Sequence, residues 1–342
     1  MSIIEKTKEL LSVPGISGFE EDIAELACKK LKAYCPDARI TKTKTVVGTV
    51  GSSDTQAPTV MVEAHLDRIG LIVTSVDDNG FVEFANLGGV DERILPTSEV
   101  YILGKERVYG VIGAKPPHIT SKEESKEGVR AENMLIDTGL GEKAPELISV
   151  GDPILLDFRF NELLNGRITS AALDNRVSMA AIFEILEDLK DKDLPVNMAV
   201  VFTSGEEMGL QGAYTVTREI QPDLAVILDV TYGRTPDCED IDTFPLGSGA
   251  AILRGPNVHY DMTKKVMAVA KKNSIPYEIE VAPRNSGTTA WAIQNSGEGV
   301  PCVILSIPLR YMHTTVETVD LFDVECVCRL VKEIICGGEV IA

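Results

Sequence analysis

The chain has 342 residues, 44% hydrophobic and 25% charged, an ordinary globular mixture that excludes wholesale disorder and sets a prior of one large or two modest domains. It carries 33 Lys and Arg against 52 Asp and Glu, and the net charge of −19 argues against a nucleic-acid or anionic-membrane partner. No apolar run approaches the roughly 20 residues that span a bilayer, and the opening MSIIEKTKELL lacks the uncharged apolar core of an export signal.

Ser17 precedes Glu20 by three residues, the spacing of a helix-capping pair, and Ile23, Leu26, Ala27 and Leu31 recur at helical spacing, which predicts a helix near 19–34. TVMVEAH reads as a strand ending at His65. From about 69 to 166 the texture changes. LIVTSVD and FVEFAN flank Asn79-Gly80, a hairpin signal, and VYILG, RVYGVIG and ISVGDPILLDF add short strands without a long helix. SKEESKEGVRAEN reads as a charged, solvated loop. After Gly166 helices and apolar strands alternate: NRVSMAAIFEILEDLK, NMAVVFTS, MGLQGAYTV, LAVILDV, AAILRG, a helix near 260–273, YEIEVA and VPCVILSIP. A last helix places Val324, Val327, Val331, Ile334 and Ile335 on one core-facing stripe. This alternation predicts a three-layer α/β/α domain over 1–68 and 167–342, interrupted by a small β-rich domain at 69–166. The seven cysteines are irregularly spaced and include no CxxC; they read as free thiols in a reducing cytoplasm.

Several acids and imidazoles cluster at strand ends. His65 and Asp67 are two apart, so a carboxylate can sit beside an imidazole that binds metal through its other nitrogen. Asp174 lies in ALDNR just before a helix, where, taken alone, it reads first as a simple cap. Glu206 and Glu207 follow a buried strand; adjacent carboxylates repel unless a cation intervenes, and their differing directions let one bind metal while the other faces a water. Asp229 ends an apolar run where an unpaired charge is costly to bury, and His313 follows another strand. In open α/β sheets ligands bind beyond the carboxyl ends of strands, so these groups can converge. Imidazole and carboxylate suit Zn²⁺, Co²⁺ or Mn²⁺. Three carboxylates and a hydroxide balance two divalent cations, a pair able to activate water and hold a carbonyl oxygen. His118 and His259 lack such surroundings and read as non-ligands, with His118 left open to contact a neighbouring subunit.

Taken in order, EAHLDRIG, ALDNR, TSGEEMGLQGA, VILDV and IPLRYMH resemble the glutamyl aminopeptidase and cellulase-M-like family, which includes the tetrahedral aminopeptidases; LLSVPGISGFEE and VIGAKPPH extend the likeness over nearly the whole chain. The resemblance implies a cytoplasmic metallopeptidase that removes N-terminal residues from peptides with two divalent ions, zinc before cobalt or manganese. It implies that Asp174 bridges the ions, that His65, Asp229, Glu207 and His313 complete their coordination, that Glu206 is the general base for a bridging water, and that Asp67 orients His65. It also implies a PDZ-like dimerisation insert and dimers assembled into twelve-subunit shells with inward-facing sites.

The chain departs from the family pattern twice: Arg68 stands where Glu commonly follows HxD, and SGTTA places Thr289 at the acidic position of GTDA. If both lie near the substrate, the local charge becomes more positive and favours acidic or neutral N-terminal residues. Alternative readings are a two-metal amidase or deacylase on the same fold and an inactive shell-forming homologue. The family's endoglucanase label ranks low, because a glycosidase needs two carboxyls of split acidity and usually aromatic sugar platforms, and the chain has one Trp (Trp291), 8 Tyr and 9 Phe.

Overall fold

The computed structural model describes residues 1–54, 56–113, 115–120, 130–238, 243–338 and 340. Helix α1 (Ile3–Leu11) opens on a capping box in which Ser2 and Glu5 each accept the other's backbone N–H. Helix α2 spans Glu21–Leu31, shorter than the expected 19–34, and Ser17 is not its cap. The Ser17 backbone N–H donates to the Arg68 carbonyl instead, holding LLSVPGIS against the end of a strand, and the Glu20 carboxylate turns back to accept from the Gly18 N–H at 2.8 Å.

Two sheets follow. Strands β1 (Arg39–Ile40), β2 (Val46–Val50) and β3 (Thr59–His65) belong to a large one. The next six, β4 (Gly70–Val76), β5 (Val82–Leu87), β6 (Glu99–Leu103), β7 (Arg107–Gly113), β8 (Leu135–Asp137) and β9 (Pro153–Leu156), close into a separate barrel that also carries the short helix α3 (Ala144–Leu147). Burial alternates residue by residue along β7, and Leu71, Val82, Ile102, Ile136 and Ile154 fill the barrel's own core. Of the expected loop SKEESKEGVRAEN, residues 121–129 lie outside the described residues, and Ala131–Asn133 forms a short 3-10 turn. The hairpin of β10 (Asn161–Leu163) and β11 (Arg167–Ser170) pairs with the large sheet, so the barrel strands stop at Leu156, short of the expected limit at 166.

The remainder is α4 (Leu173–Leu189), β12 (Asn197–Thr203), α5 (Glu206–Gly209), α6 (Gln211–Ile220), β13 (Leu224–Tyr232), β14 (Ala250–Arg254), α7 (Tyr260–Lys272), β15 (Tyr277–Val281), α8 (Ala290–Gln294), β16 (Cys302–Arg310), β17 (Glu317–Asp320) and α9 (Leu321–Gly337). The large sheet runs β1-β2-β12-β3-β13-β16-β17-β11-β10, and β12, β3, β13 and β16 at its centre are mutually parallel. Strand alternation sorts its side chains to two faces. Val60, Val62 and Ala64 pack with α1, α2, α4, α7 and α9, whereas Met61 packs with α6 and α8. Helices on both faces explain why these strands read as continuous apolar runs.

Helix α4 is buried along most of its length between the sheet and its neighbouring helices, with only Glu184, Glu187 and Asp188 reaching toward solvent. Its Arg176 is fully buried and donates to the carbonyls of Leu10 (3.1 Å) and Pro14 (3.4 Å), tying ALDNR to LLSVPG. Phe183 of α4 lies 5.2 Å from the Phe202 ring and is 1% exposed. Phe183→Ala is expected to destabilise the fold by about 3–5 kcal/mol, read as a lowered denaturation midpoint at fixed protein concentration.

Candidate metal centre

Because the four central strands are parallel, their carboxyl ends share one edge of the sheet, and each delivers chemistry there. His65 is the last residue of β3, and Asp229 lies near the end of β13. Glu206 and Glu207 begin α5 just beyond β12, and His313 follows β16 by three residues. Gly205 makes the turn after β12 at φ 66°, a left-handed conformation that strains residues with a Cβ, and the Gln211 side chain packs where that Cβ would sit. Asp174 and Asn175 depart from helical dihedrals, so regular α4 begins after them and the Asp174 carboxylate is free to face the sheet edge.

These residues form two overlapping clusters. In one, His65, Asp174 and Asp229 each offer a ligand atom within 4.8 Å of the others; in the second, Asp174, Glu207 and His313 do the same. His65 Nε2 lies 3.0 Å from Asp174 Oδ1 and 3.7 Å from Asp229 Oδ1. His313 Nε2 lies 3.5 Å from both Asp174 Oδ2 and Glu207 Oε2. Asp174 therefore turns one oxygen to each cluster. Glu206 belongs to neither and lines the adjoining cavity, which has a volume of about 340 Å³. His259 accepts from the Met262 N–H as the cap of α7, and neither it nor His118 belongs to a cluster.

Supporting contacts fix the donors. The Nδ1 of His65 lies 3.1 Å from the backbone carbonyl of Asp67 and 3.6 Å from its carboxylate. That carboxylate accepts instead from the Glu206 (3.0 Å) and Glu207 (3.1 Å) N–H groups, so Asp67 positions both glutamates as well as the imidazole. The Gly89 carbonyl, just after barrel strand β5, lies 2.9 Å from His313 Nδ1, and a Cβ on Gly89 would stand 2.7 Å from that ring. Two buried carboxylates escaped the sequence reading. Glu317 accepts from the backbone N–H groups of His313 (2.9 Å) and Asp174 (3.1 Å), bracing one residue from each half of the site. Glu63 accepts from Thr203 and, at 2.6 Å, from Thr289. A carboxylate buried in EAHLD is a legible signal for the second; the first follows β16 by only seven residues but carries no motif of its own.

The clustered charges perturb one another strongly. Burial pushes the Glu206 and Glu207 carboxyls up to about 8, and nearby carboxylates add to the rise. Burial also raises Asp229 well above the ordinary carboxylate range. Asp174 moves the other way: burial opposes its ionisation, but hydrogen bonds from His313 and His65 outweigh it. His313 rises to about 10 although burial works against its charge, because Asp174 and Glu207 face it. Among the described residues no Lys or Arg lines the cavity. Two imidazoles with three clustered carboxylates and no fixed cation among them are a donor set that fits divalent ions.

The model of the M42 glutamyl aminopeptidase family matches residues 45–330. The chain belongs to that family. This M42 peptidase is 32% identical to a lysyl aminopeptidase of Pyrococcus furiosus, over 97% of this chain and 96% of the relative. It superposes on an aminopeptidase from the archaeon Desulfurococcus kamchatkensis with a TM-score of 0.91 and 33% identity, covering 99% and 96% of the two chains. It matches the Pyrococcus horikoshii TET1 peptidase, described as assembling into a tetrahedron or a large octahedral shell, with a TM-score of 0.85 and 30% identity over 98% and 99%. The M42 peptidase is thus a metalloaminopeptidase, and its family implies divalent metal ions.

The two departures from the family pattern do not lie where the sequence reading needed them. Arg68 is 3% exposed and stacks 4.9 Å over Phe158, with Glu317 and Glu207 as its charged neighbours. Thr289 is buried against Glu63. Neither is among the residues that line the cavity, so the lining lends no support to an acidic or neutral preference.

Proposed function

We propose that the chain is a dinuclear aminopeptidase that hydrolyses N-terminal residues from peptides, and the observation that carries this reading is Asp174 with one oxygen turned to each of two His-and-carboxylate clusters. His65, Asp174 and Asp229 would hold one ion, and Asp174, Glu207 and His313 the other. Once bound, two divalent ions, zinc before cobalt or manganese, supply Lewis acidity for a peptide carbonyl and for water. The protein does the rest. Glu206 accepts a proton from the attacking water and returns it to the leaving amine. Asp67 holds Glu206 through its backbone N–H, so the base keeps its place while the ligand beside it is occupied.

Self-association of a PDZ-like barrel into dimers, and of dimers into a dodecamer, is supported by the shell-forming relative and by a closed barrel that projects its own core. Seven unbonded thiols suit a reducing cytoplasm. None of the described helices is long and apolar enough to cross a membrane.

The test is a panel of aminoacyl-anilides and matched N-acetylated substrates with metal-reconstituted enzyme. Turnover is expected only with a free α-amine and only with metal. Equal cleavage of the acetylated substrates would favour the amidase or deacylase reading, and no turnover with any ion would favour an inactive shell protein.

A further inference from the structure

Among the described residues, and apart from those of the metal centre, one charged side chain lines the cavity: Glu280, on strand β15. Thr231 Oγ1 donates to its Oε1 at 2.9 Å and the Ser306 hydroxyl also favours its charged form, but Oε2 is buried and makes no hydrogen bond of good geometry. A buried carboxylate oxygen left unpaired is costly, and no Lys or Arg of the lining is there to answer it. Burial raises its pKa, because the charged form is disfavoured away from water, and the Thr231 and Ser306 hydroxyls only partly offset this.

The position is as informative as the charge. Thr231 follows Asp229 by two residues on β13, so both side chains lie on one face of the strand, about 7 Å apart along it. Asp229 belongs to the cluster around His65, and Thr231 holds Glu280. The step along β13 from Asp229 to the residue that holds Glu280 is therefore comparable in length with the four-carbon stem of a lysine. Leu253 and Met312 give the cavity apolar surface for such a stem, and Ser286 and Thr288 are neutral.

We infer that Glu280 is the specificity-determining residue for the N-terminal side chain of the substrate and that it selects a cationic one. The inference rests on the aminopeptidase reading above. It reverses the charge preference expected from Arg68 and Thr289, because Glu280 faces the cavity and they do not. The substrate's α-ammonium group offers the same cation chemistry, so the experiment must separate the two sources.

Full-length, metal-loaded wild type and Glu280→Gln are compared on Lys-, Arg-, Leu- and Glu-anilides. The wild type is expected to favour Lys and Arg, and the variant to lower the Lys-to-Leu ratio of kcat/KM by about 10-fold or more. Glu280→Lys is expected to move the preference toward Glu-anilide, a gain that a merely misfolded variant cannot show. A fall shared equally by Lys and Leu would assign Glu280 to the α-ammonium and overturn the inference; so would a wild type that prefers Leu or Glu. Turnover of Leu with no preference for Lys counts against the subsite alone, whereas absence of all turnover counts against the aminopeptidase reading. In that event calorimetry still decides the subsite. Wild type should bind L-lysine amide at least about 10-fold more tightly than L-norleucine amide, with the gap closed in Glu280→Gln; equal binding in wild type overturns the inference.

Discussion

Glu206→Gln is expected to keep its full complement of metal while losing about 100-fold or more in kcat. Glu206 shares the strand-end turn with Glu207, yet only Glu207 joins a ligand cluster; Glu206 faces the cavity. Its backbone is held by Asp67, an anchor that the amide substitution leaves untouched. Gln has nearly the same shape but cannot take up a proton, and general acid–base catalysis typically contributes factors of 10² to 10⁴. Metal stoichiometry by elemental analysis, measured beside kcat, separates base from ligand. Glu207→Gln should instead release metal, because it removes a charged donor from the Asp174–His313 cluster. Undiminished turnover in Glu206→Gln, or metal loss matching that of Glu207→Gln, would refute this division of labour.

The second large effect concerns stability, metal and pH together. Without metal, Glu206 and Glu207 titrate near 8, against an ordinary value of 4.5, because burial and neighbouring carboxylates disfavour their charge. Over that interval the folded chain holds protons that the unfolded chain has released. The stabilising contribution is complete below about 4.5 and is lost as pH rises through about 8. His313, raised to about 10, adds a loss in the same direction. Divalent ions displace these protons, so their stabilising increment grows as pH rises. Saturating metal should raise stability by about 3–4 kcal/mol at pH 8, equivalent to several degrees in Tm, and by clearly less at pH 5.5. Scans of chelated and reloaded protein at both pH values check this. An increment that is equal at the two pH values, or larger at the lower one, would mean that the clustered carboxyls are not where the ions bind.

Much of the architecture was legible because local patterns and tertiary demands agree. Apolar runs such as LAVILDV and NMAVVFTS must be buried on both faces, and that requirement implies a parallel sheet covered by helices. The barrel was equally readable, since the alternation along RVYGVIG reflects one face packed and one exposed. Helix ends were less so. Ser17 and Glu20 have capping spacing, but the contact of Ser17 with Arg68, 51 residues away in the chain and invisible to a local pattern, removes Ser17 from that role.

The sequence by itself pointed to the groups that could carry the chemistry: His65, Glu206, Glu207, Asp229 and His313 at or beyond strand ends, and Asp174 before a helix. Tertiary structure alone decided their partnership, because the parallel order of β12, β3, β13 and β16 helps bring residues as far apart in the chain as His65 and Asp229 within 4.8 Å. It also decided the direction of every remaining charge. Arg68 and Thr289 turn behind the site while Glu280 turns into it, and a side chain's direction depends on what packs around it rather than on its neighbours in the chain.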